Sequence, residues 1–89
     1  MAKVLVSLKI FPSDVTVDLE DLKKKIEDCL PDFASVHKFE EEPVAFGLVA
    51  VIAHLLLPED KAGGLDEVEE ALKKVDEIGN LQTLTVRRV

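Results

Sequence analysis

One stretch of the chain, residues 43–57, reads PVAFGLVAVIAHLLL and carries no charged side chain, with His54 as its only titratable group. The contrast is strong, because charged residues make up 33% of the whole sequence. The stretch is too short to cross a bilayer as a helix, which takes about 20 apolar residues. It is rich in Val, Ile and Leu, and prolines bracket it at Pro43 and Pro58. It therefore predicts a long strand buried in a small sheet.

The composition is that of one small globular domain, which we expect to span residues 1–89. The net charge of −7 and the lack of a basic stripe argue against direct binding of nucleic acid. A single cysteine, Cys29, excludes an intramolecular disulfide and a zinc-type cluster, and we expect neither a metal nor a cofactor. The N-terminal segment has no signal-peptide pattern, so we expect a cytoplasmic protein that does not bind membranes.

Hydrophobic periodicity predicts the other strands and helices. Polar and apolar residues alternate over 3–11, as in a half-buried strand. Residues 18–30 have apolar side chains at the spacing of one helix face, with Asp18 or Thr16 as the cap and Pro31 as the stop. The remaining predicted elements are a weaker strand over 34–42, a tight connection at Pro43, the long strand over 44–57, a loop over 59–64, a helix over 65–75, a turn at Gly79-Asn80 and a final strand over 81–89.

The predicted order β-α-β-β-α-β is that of the ferredoxin-like fold, an α+β architecture. Because each helix has a single apolar stripe, we expect both helices on one face of a four-stranded antiparallel sheet. The strand over 44–57 is apolar on both faces. Either loops and termini cover its second face, or a partner does.

No residue pattern points to catalysis. His54 could act as a base, but a histidine within an apolar strand is more often hydrogen-bonded in a core or at a sheet edge. Cys29 has the spacing of the core stripe of the first helix, which favours a packed thiol over a nucleophile. The glutamates at 40–42 cannot converge on an ion, because successive side chains on a strand point to opposite faces. We therefore expect a protein that is not an enzyme.

Two short features could contact another protein. Arg87 and Arg88 are the only arginines of the chain and lie next to its last residue. They are either frayed terminal charges or cations that a strand presents to a partner's phosphate or carboxylate. Phe46-Gly47 is either a core phenylalanine followed by a bulge glycine or an exposed aromatic anchor at a hairpin tip.

Residues 41–48, EEPVAFGL, followed by an acidic second helix and a strand that ends in a basic pair, resemble the translation elongation factor 1 beta family. The similarity is to the archaeal form, in which the nucleotide-exchange domain stands alone, and it covers essentially the whole chain. It implies the ferredoxin-like fold and guanine-nucleotide exchange on elongation factor 1 alpha, the GTPase that delivers aminoacyl-tRNA to the ribosome. In eukaryotic relatives a phenylalanine before a glycine fills a pocket on the GTPase, and a penultimate lysine reaches toward its magnesium and phosphate site. Phe46-Gly47 and Arg88, with Arg87 beside it, occupy the matching positions here.

The same fold leaves other classes open. Small ferredoxin-like regulatory modules bind metabolites between two subunits, and the apolar second face could form such a homodimer, whereas an exchange factor is expected to be monomeric when free. Acylphosphatase-type enzymes need an arginine in the loop after the first strand, and residues 11–16, FPSDVT, have none. Fold alone does not decide among these classes. The matched block and the basic end favour the exchange factor.

Overall fold

A computed structural model describes residues 3–59 and 63–88. Within these ranges the chain forms four strands and two helices, in the order β1 (Lys3–Pro12), α1 (Leu19–Cys29), β2 (Ser35–Pro43), β3 (Val49–Pro58), α2 (Gly64–Lys73) and β4 (Ile78–Arg88). The strands lie in the order β2-β3-β1-β4, and every neighbouring pair is antiparallel. The predicted ferredoxin-like α+β fold is confirmed.

One face of the sheet and both helices share a single core. Alternate residues of the central strands point into it, because successive strand side chains point to opposite faces, and each helix adds residues from one stripe. Since all of these side chains belong to one cluster, both helices cover the same face, as predicted. The fully buried members are Leu8, Ile10, Leu22, Ile26, Val51, Ala53, Leu55, Val68 and Leu72.

The start of α1 follows the predicted pattern. The Asp18 carboxylate accepts hydrogen bonds from the backbone N–H groups of Glu20, at 2.9 Å, and Asp21, at 3.4 Å. Asp18 is therefore the cap, and Thr16 is not. Cys29 packs half-buried against the core and its thiol donates to the carbonyl of Ile26, which confirms the predicted packed thiol.

The predicted strand over 44–57 starts too early. β3 begins at Val49, and the chain reverses before it in a single 3₁₀ turn, Ala45–Gly47. The reason is local: Phe46 and Gly47 have φ angles of +62° and +78°, left-handed values outside the extended region that a regular strand requires. The tight connection predicted at Pro43 therefore lies a few residues further along.

The predicted turn at Gly79-Asn80 is wrong, because both residues belong to β4. The chain turns earlier, over residues 74–77, before Ile78 begins the strand. Gly79 lies against the preceding chain, since a Cβ on it would be only 3.0 Å from the Cα of Ser13. This glycine allows two backbones to approach closely and does not mark a turn. Residues 60–62 of the predicted loop and Val89 of the predicted final strand lie outside the described residues.

Candidate functional site

The β2–β3 hairpin presents Phe46 to solvent. The backbone N–H of Val44 donates to the carbonyl of Leu48 at 2.8 Å, and this bond closes a tight loop with Phe46 at its tip. The Phe46 residue is 96% exposed, more than any other large hydrophobic residue in the described ranges. Of the two interpretations of Phe46-Gly47, the structure favours the exposed aromatic residue over a core phenylalanine.

The backbone at this tip is strained. Phe46 is the only non-glycine residue with positive φ among residues 3–59 and 63–88, and an L-residue there costs about 1–2 kcal/mol. Gly47 takes the next left-handed position, where any side chain would be similarly strained although space is free around it. Residues in such conformations are concentrated at functional sites, where strain holds a group in a defined orientation. The strain and the exposure together mark the tip as a candidate contact site.

A second hydrophobic residue lies beside the tip. Val15, in the loop between β1 and α1, is 58% exposed. It lines a small cavity of about 60 Å³ together with Gly47 and Leu48. Val15 is not among the predicted contact residues, although a valine between Asp14 and Thr16 in a polar loop indicates an exposed apolar side chain. We define the tip surface as Phe46, Gly47 and Val15.

The C-terminal arginines lie on β4, an edge strand. Arg88 pairs with Val4 of β1, and Arg87 pairs with Leu5. Since neighbouring strand residues point to opposite faces, Arg88 lies on the face that carries the helices and Arg87 on the open face. The Arg88 side chain is 74% exposed and forms an ion pair with the Glu59 carboxylate. The last strand therefore holds these arginines in the sheet, in contrast to the frayed-terminus interpretation.

Beside Arg88 lies a pocket of about 220 Å³ between the start of α2 and the central sheet. Its walls are largely apolar, with Leu57, Leu65 and Val86 among them, and Glu59 and Asp66 line it as well. Glu59 thus belongs both to this pocket and to the Arg88 ion pair. Glu59 is not predictable from the sequence pattern, because its pairing with Arg88 depends on which strand ends meet.

The two candidate sites lie at opposite ends of the sheet. Val4 pairs with both Leu57 and Arg88, so the end of β3 and the end of β4 lie together. The hairpin tip precedes the start of β3, one strand length away. Ten residues of strand at about 3.3 Å each span roughly 30 Å, and the longest dimension of the molecule is 41 Å. The structure therefore does not bring Phe46 and Arg88 together.

On the open face of the sheet, a hydrogen-bonded row crosses three strands. The Ser7 hydroxyl lies 2.7 Å from His54 Nδ1, and His54 Nε2 lies 2.5 Å from the Glu40 carboxylate. A carboxylate only accepts hydrogen bonds, so Nε2–H of His54 donates to Glu40, while Nδ1 and the Ser7 hydroxyl share the second hydrogen bond. The hydrogen bond from His54 and the nearby charge of Lys38 lower the pKa of Glu40. The prediction of a hydrogen-bonded histidine is confirmed.

This row resembles a serine–histidine–carboxylate relay in its order only. Ser7 is 6% exposed and lies in the middle of β1, which is paired on both sides. Acyl transfer needs an accessible nucleophile beside donors for the oxyanion, and the burial of Ser7 gives a substrate little access to its hydroxyl. The row therefore ties the three strands together.

Other polar groups serve the fold. Glu41 pairs with Lys23 on the helical side, whereas Glu42 pairs with Lys9. The acidic side chains thus diverge, as alternation predicts. Burial raises the pKa of the Cys29 thiol, which makes it a weak nucleophile.

Among the residues that the structure describes, no three His, Cys, Asp or Glu side chains form a potential metal site. No helix within the described ranges is long and apolar enough to cross a membrane.

An exposed aromatic residue and an exposed cation on one sheet are features of a protein that binds another protein. Comparison with known proteins identifies the family to which the chain belongs. The family model for the EF-1 guanine nucleotide exchange domain matches residues 5–89. Relatives named elongation factor 1-beta include that of Staphylothermus marinus, at 38% identity over 100% of this chain and 99% of the relative. That of Methanobrevibacter smithii is 42% identical over the same shares, and that of Haloarcula marismortui is 38% identical over 100% of both chains.

The chain belongs to the EF-1 guanine nucleotide exchange domain family. It is a guanine-nucleotide exchange factor of translation elongation. The resemblance carried by residues 41–48 is confirmed over the length of the chain.

Proposed function

We propose that this chain promotes GDP release and GTP reloading on elongation factor 1 alpha, with Phe46, Gly47, Arg88 and Arg87 as its contact residues. The observation that carries the assignment of residues is the hairpin tip, where a phenylalanine is 96% exposed on a strained backbone. Exposing a phenylalanine this fully has no benefit for the free protein, because burial of an aromatic side chain is favourable. A pocket on the GTPase would accept this side chain.

Exchange requires that the factor bind the nucleotide-free GTPase more tightly than the nucleotide-bound one. By reciprocity the factor then weakens nucleotide binding to the same extent. It leaves the overall equilibrium between GDP and GTP unchanged and alters only the rates of exchange. Each tenfold loosening of the nucleotide corresponds to about 1.4 kcal/mol.

The two ends of the sheet would contribute differently to exchange, one to affinity for the GTPase and the other to release of the nucleotide. Phe46 contributes affinity through apolar burial. Arg88, at the far end, places a guanidinium near the magnesium and phosphate site of the GTPase. There it opposes the metal ion by like charge and competes for acceptor oxygens. Arg87 points to the other face and adds a more general attraction. A partner must therefore contact the chain along roughly 30 Å to meet both ends.

The experiment measures release of a fluorescent GDP from elongation factor 1 alpha by stopped flow. Wild-type chain should accelerate release, and Arg88→Ala should reduce the maximal rate more than it raises the concentration needed for half-maximal effect. Lys24→Ala is the matched control, because Lys24 is an exposed cation of α1 that is not a candidate contact residue, and it should behave as wild type. Acceleration that is the same in all three proteins would refute the role of Arg88.

The competing interpretation is a regulatory module that works as a homodimer. We propose instead that the free chain is a monomer and acts in the cytoplasm, where translation elongation takes place. Sedimentation analysis separates the two possibilities. An obligate dimer with no effect on GDP release would contradict the proposal.

A further inference from the structure

The candidate exchange residue Arg88 already has a partner within the chain. Its guanidinium forms an ion pair with the carboxylate of Glu59, the residue that follows the end of β3. Arg87, its neighbour, has no ion-pair partner among the described residues. Glu59 is itself only 32% exposed and lines the pocket next to α2. Within the part of the chain that the structure describes, the free protein therefore holds Arg88 in an ion pair and not Arg87.

We propose that Glu59 is a positioning residue that holds Arg88 against the sheet in the free protein and limits its engagement with the GTPase. This inference rests on the proposed function. The donor hydrogens that contact Glu59 cannot at the same time bind an acceptor on the partner. In addition, the negative charge of Glu59 beside Arg88 would repel the phosphate groups and acidic side chains of a nucleotide site.

The charges around Arg88 favour the held position. Glu59 and Asp66 both line the adjoining pocket, and the chain as a whole has a net charge of −7. A cation at the end of an edge strand is therefore attracted to its own protein. To reach a partner, the guanidinium has to exchange this carboxylate for another acceptor.

The expected effect is modest, because exposed ion pairs are weak. A pair of this kind is worth up to about 1 kcal/mol, which corresponds to about a fivefold change in a rate or an equilibrium constant. Removing the Glu59 charge should therefore raise the maximal rate of GDP release by about twofold to fivefold. The gain should depend on Arg88, because Glu59 acts through it.

A double-mutant cycle tests this dependence with fluorescent-GDP release from elongation factor 1 alpha. The proteins are wild type, Glu59→Gln, Arg88→Ala and the double variant. Glu27→Gln is the matched control, since it removes one exposed glutamate charge on α1. We expect Glu59→Gln to raise the maximal rate of GDP release only when Arg88 is present, and Glu27→Gln to leave that rate unchanged. A Glu59→Gln protein equal to or weaker than wild type, with Arg88→Ala impaired, overturns this inference alone. If Arg88→Ala has no effect, the assignment of Arg88 in the proposed function fails instead.

A measurement on the unaltered free chain provides a second test. Nuclear magnetic resonance relaxation of the arginine Nε–H groups reports how freely each guanidinium moves. Arg88 should be more ordered than Arg87, and the difference should disappear in Glu59→Gln. Equal mobility of the two arginines in wild type would overturn the inference, whatever the exchange assay gives.

Discussion

Replacement of Phe46 by alanine separates contact with a partner from stability of the fold. The side chain is 96% exposed and has no place in the core. Its removal should therefore change the free energy of unfolding by no more than about 0.5 kcal/mol. If Phe46 becomes buried in a pocket of elongation factor 1 alpha, the same change removes most of the 1.5–3 kcal/mol that burial of a phenylalanine supplies. A loss of about 2 kcal/mol corresponds to roughly a 30-fold higher half-maximal concentration for GDP release.

A glycine at the same position sharpens the test. Phe46→Gly relieves a left-handed conformation that costs about 1–2 kcal/mol. Part of this gain is lost to the greater freedom of glycine in the unfolded chain, about 0.4–1 kcal/mol. The net expectation is a protein that is more stable than wild type by about 0.5–1 kcal/mol and yet as defective in exchange as Phe46→Ala. Such a result would show that strain at the tip is maintained for contact and not for folding.

Both properties can be measured on the same preparations, by urea unfolding and by stopped-flow release of fluorescent GDP. Phe39→Ala is the matched control, because Phe39 is a phenylalanine of β2 that packs against the core. It should lose stability and retain its half-maximal concentration where the protein remains folded. The reasoning about Phe46 is refuted if Phe46→Ala shifts that concentration by less than about threefold at full stability, a shift well short of the 30-fold loss worked out above.

Three further changes test the scaffold. The lowered pKa of Glu40, whose usual value is 4.5, means that its hydrogen bond with His54 stabilises the fold above about pH 4.5 and is lost as the pH falls through the lower folded-state value. Glu40→Gln should therefore flatten the dependence of thermal unfolding on pH below about 4.5, and profiles parallel to wild type would contradict this. Gly79→Ala places a Cβ 3.0 Å from the backbone of Ser13 and should cost about 1–3 kcal/mol in urea unfolding; an unchanged midpoint would show that the strand shifts freely. Asp18→Ala removes the α1 cap and should cost about 1 kcal/mol by the same method, whereas Asp18→Asn should retain most of the stability.

The element types follow from periodicity because the apolar pattern that predicts each helix and strand also forms the core. Leu22 and Ile26 of α1 and the alternating residues of β1 are buried where the pattern places them. The predicted elements are wrong where the backbone conformation, and not the apolar composition, decides the structure. Residues 43–48 are as apolar as a strand, yet the left-handed angles at Phe46 and Gly47 make them a turn.

The candidate site was only partly predictable for a different reason. The sequence shows that Phe46 and Arg88 are unusual, since one precedes a glycine in an apolar run and the other is one of only two arginines in an acidic chain. It does not show that they lie at opposite ends of the sheet, because that depends on the antiparallel register of β1 with β3 and β4. The Glu59 partner of Arg88 is hidden in the same way, since the two residues are distant in sequence and meet only through their strands.

The length of the central strands also affects binding if both ends of the sheet contact one partner. The length of β3, which is ten residues, then has to match the distance between the two binding sites on that partner. Loss of a single residue from β3 would turn every later side chain of the strand to the wrong face. Loss of two residues would restore the faces but shorten the strand by about 7 Å. The loop between α1 and β2 bears no such restriction. Natural variation in length should therefore accumulate in that loop, while the central strands keep their residue count.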